Sequence, residues 1–178
     1  MIEIRLHGRG GQGAVSVAQI LAIAAHEDGY YSQAFPMYGS ERRGSPVVSF
    51  VRIDKKPINL RSQVYEPDYV IILDPSLVKV VDVKKGLKPK GEIMINSNNK
   101  ICIEGFTTFC TDISEDAKKI LGANIVNTGT AALFIAITKI ISLESLKKAI
   151  SKKFPEEIAK KNILLVETVY NKAGKVNK

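Results

Sequence analysis

The fold is decided by the N-terminal stretch Ile2-Glu3-Ile4-Arg5-Leu6-His7-Gly8-Arg9-Gly10-Gly11-Gln12-Gly13 and by the apolar run Ala14–His26 that follows it. Residues 2–7 alternate apolar and polar side chains, which is typical of a strand with one buried face. The next residues match the pattern G-x-G-x-x-G. The run Ala14–His26 is rich in Ala, Val, Ile and Leu and predicts a buried helix that Asp28-Gly29 ends. The order is therefore strand, glycine turn and helix.

The glycine turn has the features of an anion-binding loop. Glycines allow backbone angles that a side chain forbids, and they let the main chain approach a ligand closely. A helix that begins near Ala14 directs unpaired N–H groups and its positive dipole end at the same space. A phosphate fits this environment, and Arg9 can add a positive charge.

The dinucleotide-binding interpretation of this loop lacks one element. A Rossmann domain carries an acidic residue at the end of its second strand to hold the ribose hydroxyls. Here that stretch reads Tyr30-Tyr31-Ser32-Gln33-Ala34-Phe35, and no Lys follows Gly13 as a P-loop requires. Three interpretations stay open: a turn that only packs the helix on the strand, a contact with an anion or cofactor, and a contact with a neighbouring subunit.

A second candidate loop runs from Pro36 to Pro46. Two adjacent arginines, Arg42 and Arg43, stand in this Gly- and Pro-framed stretch and suit planar recognition of phosphate or carboxylate. Tyr38 can stack on a ligand or donate a hydrogen bond. The alternative is a solvated turn in which Glu41 neutralises one arginine.

The remaining chain alternates strand and helix patterns and then becomes helical. Predicted strands are 30–35, 47–53, 69–73, 92–96 and 107–111; predicted helices are 76–83, 114–121, 130–141, 143–154 and 155–171. Asp112 and Glu115 are placed to cap the helix 114–121, and residues 172–178 are expected to fray. We expect His7 to be a satisfied or exposed side chain and Asn127 to be a turn or cap residue. The fold class is α/β: a single domain, three-layer α/β/α, with a mixed, mostly parallel sheet and a helical C-terminal region.

Composition and charge exclude several classes of protein. The chain has 178 residues, 45% hydrophobic and 25% charged, with a formal net charge of +8. These values exclude a disordered chain, a collagen-like fibre and a disulfide miniprotein. The charge is dispersed, so a nucleic-acid-binding arm is not indicated.

The two cysteines and the N-terminus bear on metal binding and location. Cys102 and Cys110 form no CxxC pair and no metal-ligand spacing with His7 or His26, so we expect no metal site in this chain. Reduced thiols and an N-terminus without a signal-peptide pattern favour the cytoplasm. The apolar run Ala14–Ala25 is too short to span a membrane, and we expect no membrane partner.

Several motifs together resemble one family. The motifs are Gly8-Arg9-Gly10-Gly11-Gln12-Gly13-Ala14, Ala34-Phe35-Pro36-Met37-Tyr38-Gly39, Glu41-Arg42-Arg43-Gly44, Arg61-Ser62-Gln63-Val64-Tyr65-Glu66-Pro67-Asp68-Tyr69-Val70 and Asn127-Thr128-Gly129. They resemble the gamma subunit of 2-oxoacid:ferredoxin oxidoreductases, most of all the pyruvate synthase type, which also serves 2-oxoisovalerate enzymes. The resemblance spans nearly the whole chain and implies one gamma (catalytic domain III-like) domain over residues 1–178.

The resemblance implies a multi-subunit enzyme that converts pyruvate, coenzyme A and oxidised ferredoxin reversibly to acetyl-CoA, CO2 and reduced ferredoxin. Its implied partners are alpha, beta and delta subunits, with ferredoxin as electron acceptor. Its implied cofactors are thiamine diphosphate, Mg2+ and [4Fe-4S] clusters, all held by other chains. The gamma chain itself is expected to bind no cofactor alone and to hold no catalytic residue.

In this family the gamma chain lies near the active-site entrance, where a contact to coenzyme A is plausible. The two anion-receptive loops define the predicted border of that path. The residues are Arg9, Gly10, Gly11, Gln12, Gly13, Tyr38, Arg42 and Arg43. Two alternatives stay open: a free dinucleotide-binding oxidoreductase domain, and a purely structural subunit without a ligand contact.

Overall fold

The computed structural model of the chain describes residues 1–37 and 43–176. Its strands are β1 (Ile2–Arg9), β2 (Tyr31–Pro36), β3 (Pro46–Asp54), β4 (Tyr69–Ile72), β5 (Glu92–Asn96) and β6 (Thr107–Thr111). Its α-helices are α1 (Ala14–Glu27), α2 (Ile113–Leu121), α3 (Asn127–Thr138), α4 (Leu143–Lys153) and α5 (Glu156–Val176). A short 3-10 helix covers Pro75–Lys79.

The strands form one six-stranded sheet in the order β2-β3-β1-β4-β5-β6. β3 is antiparallel to both of its neighbours, whereas β1, β4, β5 and β6 are parallel to one another. Ile4 on β1 lies opposite Val51 of β3 on one side and Tyr69 of β4 on the other. The sheet is therefore mixed and mostly parallel, as the alternation of strand and helix patterns predicts.

The helices cover one face of the sheet. Ile4 and Leu6 of β1 belong to the same buried cluster as the apolar faces of all five helices. The helix α3 is buried almost all round, because it lies between α1, α4 and α5. The single α/β domain with a helical C-terminal region is thereby confirmed.

The second face is covered differently. A smaller apolar cluster unites Val70, Ile72 and Ile93 of the sheet with Leu77 and Leu87. The covering chain is the 3-10 helix and irregular segments rather than α-helices. Charged side chains of the sheet reach into this irregular layer, as Arg5 does with the carbonyls of Val83 and Lys85.

Two predicted helix boundaries are wrong. The apolar helix predicted at 130–141 begins at Asn127 and ends at Thr138, where Lys139 takes a left-handed conformation with φ of 55°. The last helix continues past residue 171, because Lys172 forms an ion pair with Asp116 at 3.0 Å and Ala173 is buried. The predicted frayed tail is therefore helical up to Val176.

Other local predictions are confirmed or shortened. The Asp112 side chain accepts a hydrogen bond from the Glu115 N–H at 2.9 Å and caps α2 as expected. The helix predicted at 76–83 is only the short 3-10 helix, whose start is capped by Asp74. In the part of the chain that the structure describes, no helix has both the length and the apolarity to cross a membrane.

Candidate functional site

The glycine loop lies at the carboxyl end of β1, beside the carboxyl ends of β4 and β5. Because β1, β4 and β5 are parallel, the loops that follow them meet at one edge of the sheet. In open α/β sheets ligands bind in the crevice at this edge. The loop that follows β1 is thus positioned by the topology of the sheet, not by its own sequence alone.

Two glycines set the shape of this loop. Gly11 has φ of 90° and Gly13 has φ of 83°, a left-handed region that side chains rarely adopt. A Cβ at Gly13 would lie 2.6 Å from Nδ2 of Asn127 at the start of α3. Gly13 therefore serves both the turn into α1 and the close approach of α3.

Arg9 does not point freely into the crevice. Its Nε donates to Oδ2 of Asp74 at 3.1 Å, and its two terminal nitrogens donate to the carbonyl of Gly44 and to Oγ of Ser76. The guanidinium therefore ties the glycine loop to the start of the 3-10 helix and to the segment before β3. Its role in this structure is to hold three segments together.

Gln12 and Asp74 complete the same network. The Gln12 side chain accepts from the Arg9 N–H at 2.8 Å and donates to Oδ2 of Asp74 at 2.9 Å. The other oxygen of Asp74 accepts from the N–H and the hydroxyl of Ser76. Burial raises the pKa of Asp74, but the hydrogen bonds from Ser76 and Gln12 and the charge of Arg9 outweigh it, so the pKa lies below its usual range.

The second loop reaches the first. Gly10 donates to the carbonyl of Ser45 at 2.8 Å, and Gly44 donates to the carbonyl of Gly10 at 3.1 Å. Arg43 is exposed, and its side chain passes over Gly11, where a Cβ would lie 4.0 Å from Arg43 Cγ. Tyr38 and Arg42, which belong to the predicted site, lie outside the described residues.

The groups open to a ligand are therefore few. Within residues 1–37 and 43–176, the N–H groups of Gly11 and Gly13 have no acceptor. Together with the Arg43 guanidinium they offer donors and one positive charge, which suits a phosphate. The structure brings Gly10, Gly11, Gln12, Gly13 and Arg43 together at one place.

A crevice extends from this loop along the edge of the sheet. A cavity of about 200 Å³ is lined by Gln12, Leu73, Asp74, Pro75, Asn96, Ser114, Asn124 and Val126. It adjoins a wider opening of about 580 Å³ at the start of α2. Volumes of this size hold small organic ligands.

Asn96 organises the floor of the crevice. Its amide nitrogen donates to the carbonyl of Leu73 and to Oγ of Ser114, and its oxygen accepts from the N–H of Ile113. Sequence reasoning did not select Asp74, Asn96 or Ser114. The available signal was their position at or shortly after the carboxyl ends of β4, β5 and β6, because the ends of parallel strands meet.

His7 ends next to this site but faces the second side of the sheet. It is 6% exposed, and its Nε2 accepts a hydrogen bond from Arg5 Nε at 3.1 Å. Burial and then the charge of Arg5 lower the pKa of His7 to about 4. The expectation of a satisfied histidine is therefore confirmed.

Comparisons with known proteins agree over nearly the full chain. Residues 3–172 match the family model "Pyruvate ferredoxin/flavodoxin oxidoreductase". The chain is 50% identical over 171 residues to "Pyruvate synthase subunit PorC" of Methanocaldococcus jannaschii, with 96% of each chain covered. It is 45% identical over 179 residues to "Pyruvate/ketoisovalerate oxidoreductases common subunit gamma" of Thermococcus kodakarensis, with 97% of each chain covered.

A solved structure has the same fold. The crystal structure of pyruvate oxidoreductase subunit PORC from Thermotoga maritima superposes with a TM-score of 0.82 at 34% identity. The match covers 96% of this chain and 95% of that chain. The similarity therefore extends over the whole chain and is not confined to the glycine motif.

Proposed function

This chain belongs to the pyruvate ferredoxin/flavodoxin oxidoreductase family, and we propose that it is the gamma subunit of a pyruvate synthase. The reaction is the reversible conversion of pyruvate, coenzyme A and oxidised ferredoxin to acetyl-CoA, CO2 and reduced ferredoxin. The observation that carries this proposal is the 50% identity over 96% of both chains to a pyruvate synthase subunit.

Other chains supply the redox and thiamine chemistry in this proposal. Alpha, beta and delta subunits are the partners, and ferredoxin is the acceptor of the whole complex. Thiamine diphosphate, Mg2+ and [4Fe-4S] clusters belong to those chains. The free cysteines Cys102 and Cys110 are consistent with an enzyme of the cytoplasm, and we propose that the whole chain, residues 1–178, is one gamma domain.

The chain's own contribution, in our proposal, is a border of the coenzyme A path. The N–H groups of Gly11 and Gly13 have no acceptor among the described residues, and the Arg43 side chain passes beside Gly11. Coenzyme A carries phosphates that such donors bind. Arg42 and Tyr38 extend this border on sequence grounds. Arg9 and Gln12 act on it indirectly, because the Asp74 network engages their side chains.

A kinetic experiment on the assembled enzyme tests this border. The variant Arg42→Ala/Arg43→Ala should raise the KM for coenzyme A and leave kcat nearly unchanged, because the lost contacts bind the ground state. The KM for pantetheine, which has the thiol without the phosphates, should not change. Lys148→Ala/Lys161→Ala, which removes two positive charges from exposed lysines of α4 and α5, is the matched control. An unchanged KM for coenzyme A in a fully assembled complex would refute the contact.

Two further functions have specific support. The relative from Thermococcus kodakarensis is named as common to pyruvate and ketoisovalerate enzymes, which favours a second 2-oxoacid substrate for the complex. The G-x-G-x-x-G turn favours a dinucleotide, but β2 contains no acidic residue to hold a ribose. Titration of the isolated chain with NAD(H) and NADP(H) distinguishes this candidate, and the subunit proposal expects no binding.

A further inference from the structure

One sequence motif has no part in the site described above. The segment 60–66, Leu60-Arg61-Ser62-Gln63-Val64-Tyr65-Glu66, is irregular and lies on the second face of the sheet. Only Val64 of these residues is buried. Tyr65 is 69% exposed and Leu60 is 48% exposed. A row of outward side chains on an irregular segment would ordinarily be a mobile loop.

A buried arginine holds this segment in place. Arg52 on β3 is 1% exposed, and its Nε donates to Oε1 of Glu3 at 2.8 Å. Its terminal nitrogens reach the carbonyls of Gln63 at 3.2 Å and Leu60 at 3.5 Å. The guanidinium also lies 5.3 Å above the centre of the Phe35 ring. An arginine fixed on three sides thus fixes the backbone of the exposed segment.

A second arginine holds the neighbouring turn. Arg5 of β1 is also buried, and one terminal nitrogen donates to the carbonyls of Val83 and Lys85 at 3.0 and 2.6 Å. Gly86 in this turn has φ of 70°, and a Cβ there would lie 2.1 Å from the carbonyl oxygen of Tyr65. The turn and the segment are therefore in direct contact. We call residues 60–66 and 83–86 together the docking strip.

The docking strip has the chemistry of an interface. Tyr65 is an aromatic anchor on a rigid backbone, and such anchors dominate the energy of many interfaces. Arg61, Lys84 and Lys85 are exposed, and none of them forms an ion pair with another described residue. Glu66 is the single acidic residue of the strip, so its net charge is positive.

We propose that the docking strip binds an acidic surface on another subunit of the same enzyme. The inference rests on the proposed subunit role, which requires that some face of this chain contacts its partners. The positive charge of the strip selects an acidic partner, and the pinned backbone lowers the ordering cost of association. Tyr65 supplies the buried centre of the contact, while Arg61, Lys84 and Lys85 form its rim.

A second surface of the chain provides the control for the docking-strip variants. An apolar groove of about 370 Å³ between the end of α2, the start of α3 and α5 is lined by Leu121, Ile125, Asn127, Phe154, Glu157, Ile158, Lys161 and Asn162. Glu157 and Lys161 both line this groove, so its charge favours neither an acidic nor a basic partner. Substitution of Lys161 tests the groove, and Lys148, an exposed lysine of α4, is substituted with it so that the charge change is the same.

The experiment uses the complex assembled in cells that express all its subunits. This chain carries an affinity tag, and the amount of each other subunit that stays bound is measured by native mass spectrometry as the salt concentration rises. Tyr65→Ala and Lys84→Glu/Lys85→Glu should weaken retention at least about tenfold, and Tyr65→Phe should retain most of it. Tyr31→Ala, at a tyrosine 50% exposed on β2, and Lys148→Glu/Lys161→Glu should behave as wild type.

Each outcome decides a separate claim. Retention that falls with salt in the wild type, and is already low in Lys84→Glu/Lys85→Glu, supports an acidic partner. Wild-type retention in both docking-strip variants overturns the docking strip. A loss confined to Lys148→Glu/Lys161→Glu also overturns it and assigns the interface to the surface of α4 and α5. A wild-type chain that retains no other subunit overturns the subunit role itself, independently of the strip.

Discussion

Arg9 and Asp74 form an ion pair of 3.1 Å that joins the loops following the neighbouring parallel strands β1 and β4. Asp74 also accepts from Gln12 and Ser76, so all of its main acceptor positions are used. The glycine loop therefore owes its shape to a carboxylate far away in the sequence. Several expected outcomes depend on this relationship and on the packing around it.

Asp74→Asn should loosen the glycine loop. It should lower the free energy of unfolding by about 1–2 kcal/mol, because hydrogen bonds to a charged acceptor are lost. Since the pKa of Asp74 lies below its usual range, this stabilisation is present above pH 3.8 and is lost as pH falls through the folded-state pKa. Urea unfolding of the isolated chain measures the loss, and the KM for coenzyme A in the complex should rise. An unchanged free energy of unfolding and an unchanged KM for coenzyme A would show that Asp74 does not hold the glycine loop.

Gly13→Ala should cost more than its conformation alone explains. A left-handed residue with a Cβ costs about 1–2 kcal/mol, and here the new atom also meets the Asn127 amide. Gly29→Ala is a matched control, because Gly29 has the same φ of 83° with no atom within 4 Å of its Cβ position. Thermal unfolding should therefore rank Gly13→Ala below Gly29→Ala.

Truncation of Asn127 should remove the extra destabilisation that Gly13→Ala shows over Gly29→Ala. In the double variant Gly13→Ala/Asn127→Ala the clash is absent, and its stability should approach the sum of Gly29→Ala and Asn127→Ala. Equal costs for the two glycine substitutions would show that α3 does not press on the loop.

His7 should make the chain sensitive to mild acid. Its pKa of about 4 in the folded state lies below the ordinary value of 6.5, because burial and Arg5 disfavour its charged form. As pH falls, the His7 ring binds a proton in the unfolded chain before it does so in the folded chain. The contribution of His7 to the free energy of unfolding is therefore fully present above pH 6.5 and is lost as pH falls to about 4. The loss from this group amounts to about 3 kcal/mol.

The exposed histidine provides the control for this titration. His7→Gln should flatten the dependence of unfolding free energy on pH between 6.5 and 4, whereas His26→Gln should leave it intact. NMR titration of the His7 ring gives the same answer directly. A midpoint near 6.5 would contradict the buried, neutral state.

Arg52→Ala should be among the most destabilising substitutions in the chain. It leaves Glu3 without its partner and frees the carbonyls of Leu60 and Gln63, so we expect a loss of about 3–5 kcal/mol. Arg61→Ala, at an exposed arginine nearby, should change stability by less than about 0.5 kcal/mol. Hydrogen exchange of the amides in 60–66 should accelerate in Arg52→Ala alone. A loss of unfolding free energy as small as that of Arg61→Ala would show that the segment 60–66 keeps its structure without Arg52.

Local pattern predicts much of this fold, and tertiary contacts account for the rest. The strands 92–96 and 107–111 match β5 and β6 because their apolar residues are closely bounded by polar ones. The start of α3 is missed because Asn is a residue type common in turns. Only the contact of the Asn127 side chain with Gly13 shows its role. The end of α5 is missed because Lys172 is held by Asp116, 56 residues away.

Local sequence identifies one part of the candidate site, and tertiary contacts determine the other part. The motif identifies Gly11 and Gly13, whose backbone angles are a local property. The residues that give the loop its form, Asp74 and Ser76, follow a different strand and gain their role only when the sheet assembles. The buried Arg5 and Arg52 alternate with apolar residues as exposed charges would, so the pattern indicates solvent where the structure has an irregular layer.

We expect this chain to work only as one subunit of a larger oxidoreductase. The most direct measurement is the mass and composition of the particle that contains it, purified from its native cells without oxygen. We expect three co-purifying chains together with thiamine diphosphate and iron. A stable monomer or homodimer without these groups would contradict it and would return attention to the glycine loop as a nucleotide site.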